Sequence, residues 1–266
     1  MIDEIVKTIK SMEGKYSAYD IFEDWVHMLA IAYSQTVMFN EAREQEYKQV
    51  EKKYTKQQME QFGELGAMLV KTYSYMGEGV KFRDALGEIY MSMGLGSKNT
   101  GQFFSPYSIS EIMANIVDET VIRVTQKAKN GIVKLYEPTV GSGANIIAVC
   151  EKLKDEGINY QNTVKVIAQD LDYKAVCMSY VQFTLLGIPA IVVQGDSLTT
   201  NIAQYDNAFM PHDNAFVTLM LKMNWDRLNV VNENVVEVEK EEKNNFWESA
   251  DSLEEGQQMN LMDYIS

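Results

Sequence analysis

Apolar positions recur every three or four residues over the first hundred residues and then bunch into short runs, which divides the chain into a helical part and an alternating strand and helix part. Ser17-Ala18-Tyr19-Asp20 has the form of a capping box, and Phe22, Trp25, Leu29, Ala32 and Val37 follow at the spacing of one long helix with a single buried stripe. The charged stretch from Glu41 to Lys53 reads as a solvated helix or a connector. Thr55-Lys56-Gln57-Gln58 opens a second amphipathic pattern at Met59, Phe62, Leu65, Leu69 and Tyr73, closed by Gly77 and Gly79. Phe82 to Met93 predicts a further short helix ended by Gly94-Leu95-Gly96. After Pro106, which forces an extended approach, Ser108-Ile109-Ser110-Glu111 predicts a capping box and a helix to about Val117.

The stretch Lys134-Leu135-Tyr136-Glu137-Pro138-Thr139-Val140-Gly141-Ser142-Gly143 is an apolar run ending in an acid, a proline and a Gly-Ser-Gly turn, and a helix from Ile146 to Lys154 comes next. Such a turn lets the backbone approach a ligand and offers helix N–H groups to an anion, although glycine also serves simply to turn the chain. Val164 to Ala168 then predicts a strand ending in Gln169-Asp170, and Tyr173 to Leu186 a helix closed by Gly187. Ala190 to Val193 predicts a strand ending in Gln194-Gly195-Asp196-Ser197. Strands alternating with helices predict an α/β domain with a parallel sheet and right-handed crossovers. The carboxyl ends of neighbouring parallel strands lie side by side, so Glu137, Asp170 and Asp196 should converge on one crevice and suit a nucleoside-bearing cofactor. Asp172 reads as a helix cap.

Composition narrows the chemistry. A hydrophobic content of 46% over 266 residues is enough for one large domain or two smaller ones. No stretch approaches about 20 consecutive apolar residues, so the expectation is a soluble, cytoplasmic protein without membrane contact. A net charge of −14 argues against this chain alone gripping a phosphate backbone. Cys150 and Cys177 sit in apolar helical patterns and read as reduced core residues. His27 and His212 lack ligand spacing, and no metal site is expected.

Together, Gly101-Gln102-Phe103-Phe104-Ser105-Pro106, Glu137 to Gly143, Gln169-Asp170 and Gly195-Asp196-Ser197-Leu198 resemble the amino-methyltransferases that modify adenine N6 in DNA, most of all the modification subunit of type I restriction systems. The resemblance covers about residues 15 to 200. It implies a helical N-terminal domain followed by a partial doubly wound, Rossmann-like parallel-sheet domain that binds S-adenosylmethionine. By the same resemblance Phe103, Phe104, Ser105 and Pro106 close over the methionine part, and Glu137, Pro138, Gly141 and Gly143 line the floor. Asp170 accepts from the ribose hydroxyls, and Asp196, with Ser197 beside it, from the adenine amine. Ionised carboxylates are natural acceptors for a vicinal diol and an exocyclic amine.

One departure is plain. The family's (Asn/Asp)-Pro-Pro-(Tyr/Phe) tetrapeptide after the fourth strand, which holds the target amine and stacks on the flipped base, is absent: the four prolines, Pro106, Pro138, Pro189 and Pro211, are all separated. The nearest substitutes are Asp206-Asn207-Ala208-Phe209, Asp213-Asn214-Ala215-Phe216 and Lys222-Met223-Asn224-Trp225. The last comes after an expected strand from Phe216 to Leu221; the plain alternative is a polar turn leading into a strand. Expected domains are 1–98 (helical), 99–232 (cofactor-binding) and 233–266, an acidic tail with a mobile or partner-bound character. The expected function is that of a DNA adenine-N6 methyltransferase-like protein, degenerate or dependent on a partner protein for DNA. The alternative is a non-enzymatic acidic protein that engages a DNA-binding or restriction-system partner, with a basic protein as the match for the tail.

Overall fold

A computed structural model describes residues 1–74, 81–94, 107–112, 114, 132–200, 205 and 214–225. Helices α1 (Ile2–Ser11), α2 (Ala18–Val37), α3 (Glu41–Glu51), α4 (Lys56–Ser74) and α5 (Ala85–Ser92) come first, and residues 107–112 form a further helical segment, α6. The later strands and helices are β1 (Val133–Glu137), α7 (Ala144–Asp155), α8 (Tyr160–Thr163), β2 (Val164–Asp170), α9 (Tyr173–Leu186), β3 (Ala190–Gln194), β4 (Ala215–Val217) and α10 (Leu219–Met223). The local signals act as expected at several ends. The hydroxyl of Ser17 and the carboxylate of Asp20 cap α2 reciprocally, Thr55 and Gln58 do the same for α4, and Gly187 ends α9 in the left-handed conformation. None of the described helices is long and apolar enough to cross a membrane.

Two details of the helical part differ from the pattern. Helix α5 begins after Asp84, whose carboxylate caps it, rather than at Phe82. Helix α2 buries Ile21, Phe22, Trp25, Val26, Met28, Ala30, Ile31 and Val37, whereas Ala32 is exposed. A single stripe does not suffice because α2 packs against α1 and α3 and also lies along α9, so it is covered from more than one side.

Within the described residues the sheet runs β1-β2-β3-β4. The pairs β1-β2 and β2-β3 are parallel, and right-handed crossovers place α7 and α9 on one face. The inner strands β2 and β3 are buried on both faces, whereas β1 alternates. The fourth strand corrects the expected parallel order: β4 runs antiparallel to β3, making the sheet mixed. It also stops after three residues. The run from Phe216 to Leu221 is short and apolar, so its period does not separate strand from helix, and Thr218 decides the matter as the N-cap of α10. Its hydroxyl also accepts from the Ala190 N–H at 2.9 Å and donates to the Ile188 carbonyl at 2.9 Å, pinning the start of β3. Beyond β4, Arg43 of α3 donates to the Ala215 carbonyl and lies 4.0 Å from the Phe216 ring, while the Tyr180 hydroxyl donates to the Val217 carbonyl.

One apolar core runs from the helices into the sheet, joining Phe22, Trp25, Leu65 and Tyr90 to Phe183, Val166 and Val192. Cys150 and Cys177 are buried in it as free thiols, and burial pushes both up, so they stay protonated. The same interface holds a polar cluster. Asp84 accepts from the Ser142 hydroxyl, from the Gln182 amide at 2.8 Å and from the Gly87 N–H at 2.9 Å.

Burial raises the Asp84 carboxyl above the ordinary range and Glu88 adds to the rise, against the opposing pull of Ser142, Gln182 and Gly87; Tyr73 and Tyr107 face the same group. A carboxyl with a raised folded pKa contributes its linked stability in full below its unfolded pKa of about 3.9 and loses it as pH climbs through the folded value. Asp84→Asn has no charge to bury. Its stability relative to the parent should therefore rise from about pH 4 toward neutrality. Urea melts of both proteins across that range measure the difference, and a pH-independent gap would contradict the assignment.

Candidate cofactor site

The turn after β1 is held from β2. The Val140 N–H donates to the Gln169 carbonyl at 2.8 Å, and the Gly141 N–H donates to Asp170 Oδ2 at 2.9 Å. The second oxygen of Asp170 accepts the Asp172 N–H at 3.0 Å, and its carbonyl accepts the Gly195 N–H at 2.9 Å. Asp170 thus ties together the loops after all three parallel strands. Glu137 accepts from the Thr139 N–H at 3.3 Å and from the Asn145 amide at 3.2 Å, which keeps its carboxylate at the head of α7. Pro138 is exposed beside it, and Asp196 and half-buried Ser197 come after β3 on the same edge. Asp196 is exposed and accepts the Leu198 N–H at 2.9 Å.

The two glycines have different reasons. Both adopt positive φ, 55° at Gly141 and 103° at Gly143. At Gly143 there is a second constraint, since a Cβ would lie 2.7 Å from the Phe183 ring of α9. Gly143 therefore serves close packing of α7 on α9, while the neighbouring Gly141 N–H faces the acid.

The residues at this edge fit S-adenosylmethionine. Each Asp170 oxygen accepts one backbone N–H and, with two lone pairs, keeps capacity for a hydroxyl donor. Leu171 and Leu198, each one or two residues past a strand-end acid, are 72% and 92% exposed, apolar surface suited to a flat base. Gln169 is buried, its side-chain Oε1 accepts the Tyr136 hydroxyl at 3.1 Å, and its Nε2 has no partner among the described residues. A buried amide donor left without a partner is costly, and a polar ligand at this edge would supply one. Gln169 and Leu198 stand in the sequence motifs without an assigned role, and Leu171 stands outside them; an apolar residue placed just after a strand-end acid is the signal that could have pointed to the two leucines. Phe103, Phe104, Ser105 and Pro106 lie outside the described residues.

Of the substitutes for the catalytic tetrapeptide, those among the described residues do not gather here. Asn214 reaches the carboxyl edge, but its amide donates to the Gln194 carbonyl at 2.9 Å and to the Tyr205 hydroxyl at 3.0 Å, joining β4 to β3. Phe216 is 1% exposed, stacked on Tyr180 at 4.8 Å with Arg43 beside it, so no base can lie on its ring. The Asn224 amide donates to the Gln161 carbonyl at 2.9 Å, and Lys165 lies 5.0 Å from the Trp225 ring. Gln161 and Lys165 flank the start of β2, which places Asn224 and Trp225 at the amino edge of the sheet, opposite Asp170. The reason is the direction of β4: the chain leaving an antiparallel fourth strand emerges at the other end. Asn207, with Asp206, Ala208 and Phe209, and Asp213 lie outside the described residues.

Gly143→Ala should destabilise the protein by about 2 kcal/mol or more, from the positive φ and the ring contact together. Combining it with Phe183→Leu should cost less than the sum of the single changes by about 1 kcal/mol, because the smaller side chain relieves the contact and leaves the backbone strain. Thermal melts of the four proteins measure this; strict additivity would show that the ring does not set the glycine.

The profile of the N-6 DNA Methylase family matches residues 81–257. No curated protein matches the chain. Among solved structures, it is similar to a proposed class I S-adenosylmethionine-dependent methyltransferase from Listeria monocytogenes, at 13% identity and a TM-score of 0.38, over 75% of this chain and 54% of that one. It is also similar to a type I restriction-modification system methyltransferase subunit from Streptococcus thermophilus, at 14% identity and a TM-score of 0.34, over 75% of this chain and 58% of that one. The chain spans little more than half the length of either structure. The family match covers more than half of the chain, and the order of its elements, from the glycine turn through the two strand-end acids, accords with it: this protein belongs to the N-6 DNA methylase family.

Proposed function

We propose that the protein binds S-adenosylmethionine at the carboxyl edge of the sheet and belongs to the type I modification-subunit kind, either degenerate in methyl transfer or completed by a partner protein that supplies the grip on DNA. The observation that supports this is the separation of the two edges. Glu137, Gly141, Asp170, Asp196 and the exposed Leu171 and Leu198 share one edge, whereas Asn224 and Trp225 lie at the other and Phe216 is buried. Asp170 and Asp196 would accept from the ribose and the adenine amine, and Glu137 would face the methionine amine. When bound, S-adenosylmethionine supplies an electrophilic methyl group. The chain's own residues orient the cofactor, but the described ones set no acceptor and no stacking ring beside it for a target base.

The charge of −14 fits the same reading, since a protein that grips DNA itself needs a basic surface. It also favours the second reading, in which the protein is non-enzymatic and engages a DNA-binding or restriction-system partner, with the acidic tail, 233–266, meeting a basic protein. The division into 1–98, 99–232 and 233–266 and a cytoplasmic location belong to this proposal.

Two measurements test it. Calorimetry with S-adenosylhomocysteine should show binding by the full chain, and Asp170→Ala should weaken it by about tenfold, as loss of a charge-assisted hydrogen bond does. Tritiated-methyl transfer to mixed DNA should be negligible for the purified chain and should appear, in the partner-dependent case, on addition of cell extract. Absence of cofactor binding at millimolar concentration overturns the cofactor reading, and rapid transfer to adenine by the chain alone overturns the activity reading.

A further inference from the structure

The turn that opens the candidate cofactor site is gripped from behind by the N-terminal helices. Ser142, between the two glycines, is buried and points away from the crevice. Its hydroxyl donates to Asp84 Oδ2, and its carbonyl accepts the Gln182 amide. Gln182 Nε2 also donates to Asp84 Oδ1 at 2.8 Å, so carboxylate, amide and hydroxyl close a ring of three partners. Its Oε1 accepts the Tyr73 hydroxyl of α4 and the Leu86 N–H of α5 at 3.1 Å. Asp84 reaches the turn only because residue 87 is glycine. A Cβ there would lie 2.0 Å from Asp84 Oδ2, in the space the carboxylate fills.

A second contact holds the loop after β2. Lys174, in the first turn of α9, is buried with its ammonium 3.1 Å from the Tyr19 hydroxyl, 3.4 Å from the Tyr90 hydroxyl and 3.3 Å from Asp172. Its Nζ lies 4.8 Å from the centroid of each of those two rings. The loop carrying Asp170 and the turn carrying Gly141 are therefore each fastened to α2 or α5, and Asp170 fastens them to one another.

We infer that Asp84 is a positioning residue for the cofactor site: through Ser142 and Gln182 it fixes the Gly-Ser-Gly turn in the shape that presents Gly141 to Asp170, so the state of the N-terminal helices sets cofactor affinity. The inference rests on the cofactor reading above. Two peptide planes of the turn are set by its partners, the Ser142 carbonyl facing Gln182 and the Gly141 N–H facing Asp170. Loss of the Ser142 hydroxyl bond to Asp84 frees the first of these planes and leaves the turn to be ordered by the ligand, so affinity falls by what that ordering costs. Linkage makes the effect reciprocal, so a cofactor that orders the turn also steadies α5.

The test uses the full chain, S-adenosylhomocysteine as probe, and amide hydrogen exchange with and without it. Asp84→Ala and Ser142→Ala should each weaken binding by about tenfold, and together by scarcely more than either, as expected for partners in one network. Asp84→Asn retains an oxygen for Gly87 and Gln182 and should bind within about threefold of the parent. In the unliganded protein the two alanine variants should exchange faster at 139–146 with α2 unaltered, and in the parent the probe should slow exchange in α5 as well as in the turn. If Asp84→Ala is too unstable to assay, Ser142→Ala, which removes only a hydroxyl, carries the test. A binding parent with Ser142→Ala of unchanged affinity and unchanged exchange at the turn overturns this inference alone. A parent that binds no probe overturns the cofactor reading and, with it, the role assigned to Asp84.

Discussion

The side-chain amide of Gln182 uses both its oxygen and its nitrogen in the interior, and four structural pieces meet on it. Tyr73 of α4 and the Leu86 N–H of α5 donate to the oxygen, while the nitrogen donates to Asp84 and to the carbonyl of Ser142 in the glycine turn. A buried amide is tolerable only when such partners are in place, and the low dielectric around it strengthens each contact once they are. Apolar packing of α2 on α9 brings the layers together but permits small slides. The amide does not permit them, because any slide leaves several buried groups without partners. The docking of helices on sheet is therefore set by directional bonds inside an apolar interface.

That docking matters because the edge of the sheet is assembled from three separate loops. Asp170 alone bonds to the turn after β1, to its own loop and to the loop after β3. The protein belongs to the N-6 DNA methylase family, and the proposed cofactor reading concerns this edge. The same family context makes β4 informative, since its reversed direction carries Thr218 and α10 away from the crevice. The residues that suit a cofactor share one edge, and two of the aromatic and amide candidates for base contact lie at the other.

Much of this is legible in the chain. Helix α9 runs from Tyr173 to Leu186 as its pattern and Gly187 predict, and β1, β2 and β3 fall on their apolar runs with Glu137, Asp170 and Asp196 at or just past their ends. These features are local, so period and turn residues encode them. The nonlocal ones are not legible. Asp84 and Ser142 are distant in sequence, and nothing near either announces the other. Ala32 fits the helical spacing yet is exposed, because the side from which α9 covers α2 depends on tertiary packing. In sequence Gly143 reads as room for a ligand, and the contact that requires it is with Phe183. The direction of β4 has no signal in a three-residue run, so the pattern alone sets Phe216, Asn224 and Trp225 beside a crevice they do not line.

The short fourth strand also decides where the sheet can grow. In its ladder with β3, Asn214 and Thr218 pair inward, so Ala215 and Val217 direct their backbone groups outward. Both outward carbonyls are taken, one by the Arg43 guanidinium and the other by the Tyr180 hydroxyl. An extended strand approaching from that side finds its acceptors already engaged by side chains that it would have to displace from the interior. Among the described residues, the outward acceptors of β4 are thus engaged by side chains of the same fold, which disfavours pairing of a further strand through them.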